Sequence, residues 1–526
     1  MQSKTWSASY GLYICVCAWS ALPLLRLHAI RPESLKVPSR DGQPRSGQRL
    51  LWLALTACGS TVLLAVTNQL SQDVAVVPFL WVAPLSLYLL SFILCFEGVR
   101  WYKRLLWVPL LGVAVSALVI LLHQDYAEGE WPLIYQISIY LSAMFVCCMV
   151  CHGELARLKP PPAHLTSFYL IVALGGALGG LFVNLAAPHL FNGYWELHGA
   201  VVATVLLLGI CSFWGKKALG KGWYALSYKT IWGIGLVTLS IFLWMHIREQ
   251  REDSIATRRS FYGVLNVYEF DAGSRQHQYG FFHGRIKQGM QFQQSPYRLL
   301  PTTYYTLDSG IGVAIGSHPM RNAGSLNVGI IGLGVGTIAA YGLPGDDFRF
   351  YEINPDVERL AHDYFTFLSA TEGNNMVVLG DGRISLEREL RETGSRQFDV
   401  LALDAFNGDG IPVHLLTQEA FELYWAHLKP DGILAVHLTN LHFDLSDVAR
   451  ILAREFNKQA ILISDNAKES YDCSSDWVLI TSNERFLTAP GLSKSVRSWP
   501  RLTPKEIRWT DDYSNLIGVL ALRQDG

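Results

Sequence analysis

The stretch 326–352, LNVGIIGLGVGTIAAYGLPGDDFRFYE, sets the architecture of the C-terminal half. An apolar strand runs into Gly332-Leu333-Gly334-Val335-Gly336-Thr337, and a short helix and a second strand ending at Glu352 are expected to follow. Glycines at such a turn let the backbone approach a ligand closely, and a following helix offers unpaired N–H groups. An acid at the end of the second strand stands where it takes both hydroxyls of a ribose. The spacing is G-x-G-x-G, with Thr337 where the dinucleotide pattern needs glycine. That favours an adenosyl-sulfonium ligand over NAD; a plain tight turn is the alternative.

The chain has 526 residues, half of them apolar, and a formal net charge of −1. It is too long for one ordinary domain, and the charge argues against wholesale nucleic-acid binding. The apolar residues concentrate before about Met245, and from about Glu249 the chain reads as a soluble α/β protein. Eight of the nine cysteines lie in the first part, which is no disulfide framework. Lys4 with the apolar run behind it is read as a retained span rather than a cleaved signal.

Eight stretches are apolar over the roughly twenty residues that a membrane span needs: 8–27, 49–68, 75–96, 105–123, 131–151, 165–188, 196–214 and 229–247. The loops between them alternate in charge. Arg31 to Arg49, then Arg100, Lys103 and Arg104, then Arg157 and Lys159, then Lys216, Lys217 and Lys221 are basic, and the intervening loops are uncharged or acidic. By the positive-inside rule the basic loops are cytoplasmic, which leaves the soluble half outside. An adenosyl ligand made in the cytoplasm argues for the other side. A re-entrant sixth stretch, with Gly175-Gly176-Ala177-Leu178-Gly179-Gly180 before Pro188, would reverse the parity; close helix packing through small residues is the competing reading. Cys148-Met149-Val150-Cys151-His152 matches a haem-attachment spacing but falls at a helix end, where a packed cysteine pair is expected instead. His152, Glu154 and Arg157 are expected as a polar collar at the membrane face.

The expected division is a helical membrane domain over 1–248, a linker over 249–259, a small β-rich subdomain over 260–324 and a Rossmann-like domain over 325–526. In the last, strands and helices alternate as in a mostly parallel sheet with helices on both faces. Polar residues close four strands: Glu352, Gly380-Asp381-Gly382, Asp404 and Thr439-Asn440. Ligands of open α/β sheets bind at those ends, although each acid alone can be read as a helix cap, Asp381 as readily so and Asp404 less.

The segments IIGLGVGT, VLGDGR (378–383), FDVLALDAF (398–406), HLLTQEAFELYWAHLKPDGILAVH (414–437) and SDWVLI (475–480) resemble the spermidine synthase family of aminopropyltransferases, which has the methyltransferase fold. FYGVLNV (261–267), HGRIKQGMQ (283–291), PTTYY (301–305), CHGELARL (151–158) and AAPHLFNGYWE (186–196) look like a membrane-fused branch of that family. The resemblance implies a decarboxylated S-adenosylmethionine or S-adenosylmethionine donor held by Gly332, Gly334, Gly336, Glu352, Asp381, Gly382 and Gln288. It implies that Asp404 orients an attacking amine such as putrescine or spermidine, with Tyr304 or Tyr305 orienting or deprotonating it. No metal is implied. A bacterial cytoplasmic membrane is the expected location, and a homo-oligomer is a further expectation. Two family acids are replaced, by Val335 in the glycine turn and by Asn407 after Asp404. Asp409 and Asp476 are candidate substitutes on the substrate side, with Asn407 beside them; Asp472, Asp511 and Asp512 are further candidates. Three readings follow: an aminopropyltransferase-like membrane enzyme, a methyltransferase acting on a membrane-delivered acceptor, or a non-catalytic polyamine or nucleoside sensor or transporter.

Overall fold

The computed structural model describes residues 44–73, 79–98, 100–123, 131–213, 223–252, 254–284, 286–406, 412–440, 443–492, 496–499 and 508–519. Its first half is helical: α1 (Ser46–Asp73), α2 (Phe79–Glu97), α3 (Arg104–Leu122), α4 (Leu133–Arg157), α5 (Leu165–Leu181, carried on through a π turn to Leu190), α6 (Glu196–Phe213) and α7 (Trp223–Glu252). Seven of the eight expected stretches fall on these helices, and 8–27 lies outside the described residues. Six of the helices are long and apolar enough to cross a membrane, α2 being a shorter apolar helix.

Helix α1 is the hub, packed on α2, α4, α5 and α6. Outward faces carry bare apolar side chains such as Ile93, Val113, Leu170 and Ile231, each about 60–70 % exposed. A water-soluble protein rarely shows so much contiguous apolar surface. The segment Pro162–Leu190 is continuous over 29 residues, which at about 1.5 Å per residue is long enough to span, so it does not turn back. Its glycines serve close packing. A methyl group on Gly179 would collide with the Ala57 carbonyl oxygen and one on Gly175 with Leu53 O at 2.7 Å, both on α1.

Cys148 and Cys151 are fully buried, with Cys148 Sγ 3.8 Å from the Gly59 carbonyl, and His152 Nδ1 lies 2.9 Å from Ser91 Oγ. The haem-attachment spacing is therefore core packing. The expected collar is not formed as such: His152 points to α2, whereas Glu154 accepts from the Arg104 guanidinium at 2.6 and 2.5 Å and from the Tyr102 hydroxyl at 2.8 Å.

The expected linker 249–259 is absent as such, because α7 runs to Glu252 and strand β1 occupies Ser254–Ser260. With β2 (Gly263–Phe270), β3 (Gln278–His283) and β4 (Ile286–Phe292) it makes an antiparallel sheet in the order β1-β2-β3-β4. Helix α8 (Gly310–Gly316) already packs on the larger sheet that follows. That sheet contains β5 (Asn327–Ile331), β6 (Asp347–Glu352), β7 (Asn374–Leu379), β8 (Phe398–Leu403), β9 (Leu428–His437), β10 (Gln459–Asp465), β11 (Ser475–Thr481) and β12 (Val496–Arg497). Its order is β12-β10-β11-β9-β8-β5-β6-β7. Strands β5 to β9 are parallel, and β11 pairs antiparallel with both β9 and β10. Helices α9 (Pro355–Tyr364), α10 (Gly382–Glu392), α11 (Gln418–His427) and α12 (Ser446–Glu455) lie between the strands in sequence. The chain reverses its direction of travel between β5 and β8, which opens a crevice at their C-terminal ends.

Candidate active site

The crevice is built on the glycine turn. Gly332 has φ +105°, and a side chain there would collide with the Asp404 carbonyl, so the loops after β5 and β8 touch only because this residue is glycine. The Asp404 N–H donates to Ile331 O at 2.9 Å and the Gly332 N–H to Tyr351 O at 2.8 Å, which ties the ends of β8, β5 and β6 together. The expected helix after the turn is a short 3-10 segment, Thr337–Tyr341, because Gly342 and Pro344 leave no room for a longer one before β6. Its capping residue Gly336 has φ +79°, and Gly334 has φ +54°.

Glu352, at the end of β6, accepts from the Leu333 N–H at 3.1 Å and the Asn354 N–H at 2.8 Å. Burial pushes its carboxyl up to about 7 against those two N–H donors, which act in the opposite sense. Asp381 is the N-cap of α10, accepting from the Ile384 N–H at 2.9 Å, and its other oxygen lies 3.3 Å from His414 Nε2. His414, then the backbone donors, hold Asp381 below the usual carboxylate range. The Gly382 backbone passes Ile331 so closely that a methyl group there would sit 2.6 Å from its Cγ2. Gln288 is the extra residue of a β-bulge, where pairing slips between Phe281 and Phe282, and its carbonyl faces Gly334. Val335 is buried with a methyl against Gly289 on the same strand, so the position of the missing family acid belongs here to the core.

Asp404 is the centre of the second half of the site. Its Oδ2 accepts from the Tyr305 hydroxyl at 2.8 Å, and its Oδ1 is 2.6 Å from His437 Nδ1. His437 Nε2 is 2.7 Å from Thr439 Oγ1, which in turn accepts from the Asp476 N–H at 2.9 Å. Because that amide occupies the Thr439 oxygen as acceptor, the hydroxyl hydrogen is free to point at Nε2, leaving Nδ1–H to donate to Asp404. The imidazole lies flat on Trp477, centroids 4.3 Å apart and planes 5° from parallel, with Phe406 and Tyr304 on its other sides. Asp404 and His437 side chains are 7 % and 3 % exposed, so the pair is shielded from water.

Burial, then the neighbouring Asp404, push the Tyr305 phenol well up. The neutral phenol therefore stands as a hydrogen-bond donor to Asp404. Thr303, just upstream, has φ +57°, a strained value for a β-branched residue, held by bonds to Tyr471 O and from the Cys473 N–H.

Asn407 and Asp409 lie outside the described residues. Asp476 is exposed at the start of β11, its carboxylate taken by the Ser464 hydroxyl, and it reaches the site through its backbone. Asp511 is spent on a bidentate pair with Arg383 at 2.7 Å and is lowered to about 2 chiefly by it. Among the described residues no group of three or more His, Cys, Asp or Glu is placed to hold a metal ion. His437 and His414 went unnoticed in the sequence. A polar residue closing the apolar run ILAVH was the available signal for the first; no pattern pointed to the second.

No family model matches the chain. Among curated proteins it is 34 % identical over 120 residues to an N-terminal histidine N-methyltransferase of Emericella nidulans, covering 23 % of this chain and 21 % of that one. It is 34 % identical over 111 residues to a polyamine aminopropyltransferase of Vibrio vulnificus, covering 20 % and 36 %. The chain thus spans about a fifth and about a third of the length of these relatives. Solved structures similar to it include a probable spermidine synthase from Corynebacterium glutamicum (18 % identity, TM-score 0.35, 43 % of this chain and 80 % of that one) and a spermidine synthase from Thermotoga maritima (14 %, 0.31, 51 % and 84 %). A human methyltransferase-like protein 13 in complex with SAH gives 17 %, 0.28, 36 % and 92 %. The homology to spermidine synthase-like proteins is of low identity and partial, and the fold class rests on the strand order described above.

Proposed function

We propose that the protein is a membrane-anchored transferase that binds an adenosyl-sulfonium donor over the glycine turn and moves its aminopropyl group to an amine held by Asp404. The observation that carries this reading is the meeting of the two halves at one point, where Gly332 backs directly onto Asp404. Glu352 and Asp381 would take the ribose and adenine, with Gly334, Gly336, Gly382 and Gln288 shaping the cradle. Asp404, oriented by Tyr305 and His437, would accept hydrogen bonds from the neutral amine and place its lone pair in line with the sulfonium carbon. The C–N bond forms as the C–S bond breaks, methylthioadenosine leaves, and the amine proton passes to solvent or a nearby base. Positioning supplies much of the rate in such a displacement.

Val335 favours a second reading, methyl transfer from S-adenosylmethionine, because a buried valine leaves no acid to repel the methionine carboxylate. Calorimetric titration with decarboxylated S-adenosylmethionine, S-adenosylmethionine and methylthioadenosine, each with and without putrescine or spermidine, separates the readings. Preference for the decarboxylated donor, strengthened by a polyamine, is expected. Preference for the carboxylated donor moves the assignment to methyl transfer, and binding of none of them leaves a sensor or transporter.

The helix parity belongs to the same proposal. The loop before α6 and the exit of α7 lie on one face, and that face is opposite to the loops carrying Arg100, Lys103, Arg157 and Lys159. The soluble half would then stand outside the cytoplasm.

A further inference from the structure

We propose that the tip of the β1–β2 hairpin, Phe261-Tyr262, is seated in the lipid–water interface, giving the soluble half a second point of rest on the bilayer. This rests on the reading of the helical half as membrane-spanning.

Strand β1 begins at Ser254, two residues after α7 ends at Glu252. At its far end Arg259 makes a bidentate pair with Glu196, the first residue of α6, at 2.7 and 2.9 Å, and also donates to the Gly193 carbonyl. Both side chains of the pair are buried, at 4 % and 0 % exposure, and the guanidinium sits 4.5 Å over the Tyr194 ring. Seven extended residues span roughly 20 Å. His246 of α7 is level with His198 near the start of α6, their nitrogens 3.0 Å apart, and α7 continues to Glu252, so β1 runs from beyond that level back to Glu196 and brings its tip to where α6 begins. It is also the edge strand of its sheet.

Phe261 follows Arg259 by two positions and is 96 % exposed, the barest of the large hydrophobic side chains described. Its ring has the neighbouring Tyr262 at 5.5 Å. Tyr194 and Trp195 stand at the same level, beneath Arg259 and against His198. Aromatic residues collect at this depth because the ring is apolar and polarisable while the surroundings are half hydrated. The bilayer is the occupant consistent with a tip held at the level of the span ends.

Photocrosslinking of the full chain in its native membrane tests this, with p-benzoylphenylalanine placed in turn at 261, at Val113 on the outer face of α3, and at Ser274 in the β2–β3 turn. Lipid adducts at 261 are expected within about threefold of those at 113 and about tenfold or more above those at 274. Adducts at 261 with a second copy of the chain, or none there while 113 captures lipid, overturn the proposal and leave the membrane reading intact. Failure of 113 to capture lipid overturns the membrane reading itself, and the proposal with it.

Discussion

With one oxygen on the Tyr305 hydroxyl and the other on His437, Asp404 has, among the described residues, a further lone pair on each oxygen for the amine of the proposed reaction. Asp404→Asn removes the charge and turns one acceptor into a donor facing Tyr305 or His437. Turnover is expected to fall by about 100-fold or more, with donor affinity nearly unchanged. His437→Ala, which in the proposed reaction acts through Asp404, is expected to cost about 10–100-fold in kcat. Single-turnover kinetics with saturating donor would show both; unchanged turnover in Asp404→Asn would remove it from the mechanism. Glu352 gives a pH signature. Its carboxyl, at about 7, is neutral in mild acid and charged in mild base. Ribose hydroxyls donate better to the charged form, so nucleoside affinity should rise between pH 6 and 8, and the rise should vanish in Glu352→Gln. Stability runs the other way. A carboxyl raised on folding contributes fully below its unfolded value near 4.5, and that contribution is lost as pH climbs through 7, on the order of 3 kcal/mol for the ligand-free protein. Denaturant titrations at pH 5 and 8 check the sign.

Asp381 belongs to an element as much as to a site, because it caps α10 while standing at the end of β7. Asp381→Ala should therefore lose about 1 kcal/mol of stability from the cap. Asp381→Asn keeps a capping oxygen and should stay near wild-type stability, so any nucleoside affinity it loses belongs to ligand contact. Thermal unfolding and calorimetry on both variants separate the roles; equal affinity in Asp381→Asn and wild type would leave only the cap. The bulge at Gln288 and the 3-10 turn after Gly336 show how element geometry escapes a pattern search. In each, the backbone is seated by contacts with a different part of the chain, Gln288 against Gly334 and Gly336 against Leu368.

At the scale of the whole molecule, the buried Arg259–Glu196 pair joins the two halves. Glu196→Gln leaves a guanidinium uncompensated and should loosen that junction by about 3–5 kcal/mol, read as faster proteolysis between α7 and β2. Topology is testable with a membrane-impermeant maleimide on intact cells carrying Ser274→Cys or Lys103→Cys. Both positions are exposed, and the cysteines among the described residues are buried or half-buried. Labelling at 274 and protection at 103 is expected; the reverse pattern would put the soluble half in the cytoplasm beside its donor supply.

Much of this arrangement was legible in the residues themselves. Apolar runs of about twenty residues mark helices whose backbone bonds are internal, and the strand–glycine turn–strand–acid order marks a nucleoside-type crevice, because both signals are local and periodic. Pairings distant in sequence were not legible. That β11 slips between β9 and β10, bringing Trp477 beneath His437, and that Gly179 lies on Ala57, follow from packing across 40 and 122 positions. So does the use of Val335 as core. The sequence by itself determined which segments are helices and strands and which strand ends are polar. Tertiary structure decided which of those polar ends share a proton network and which merely cap a helix, because a carboxylate takes its role from the donors that surround it.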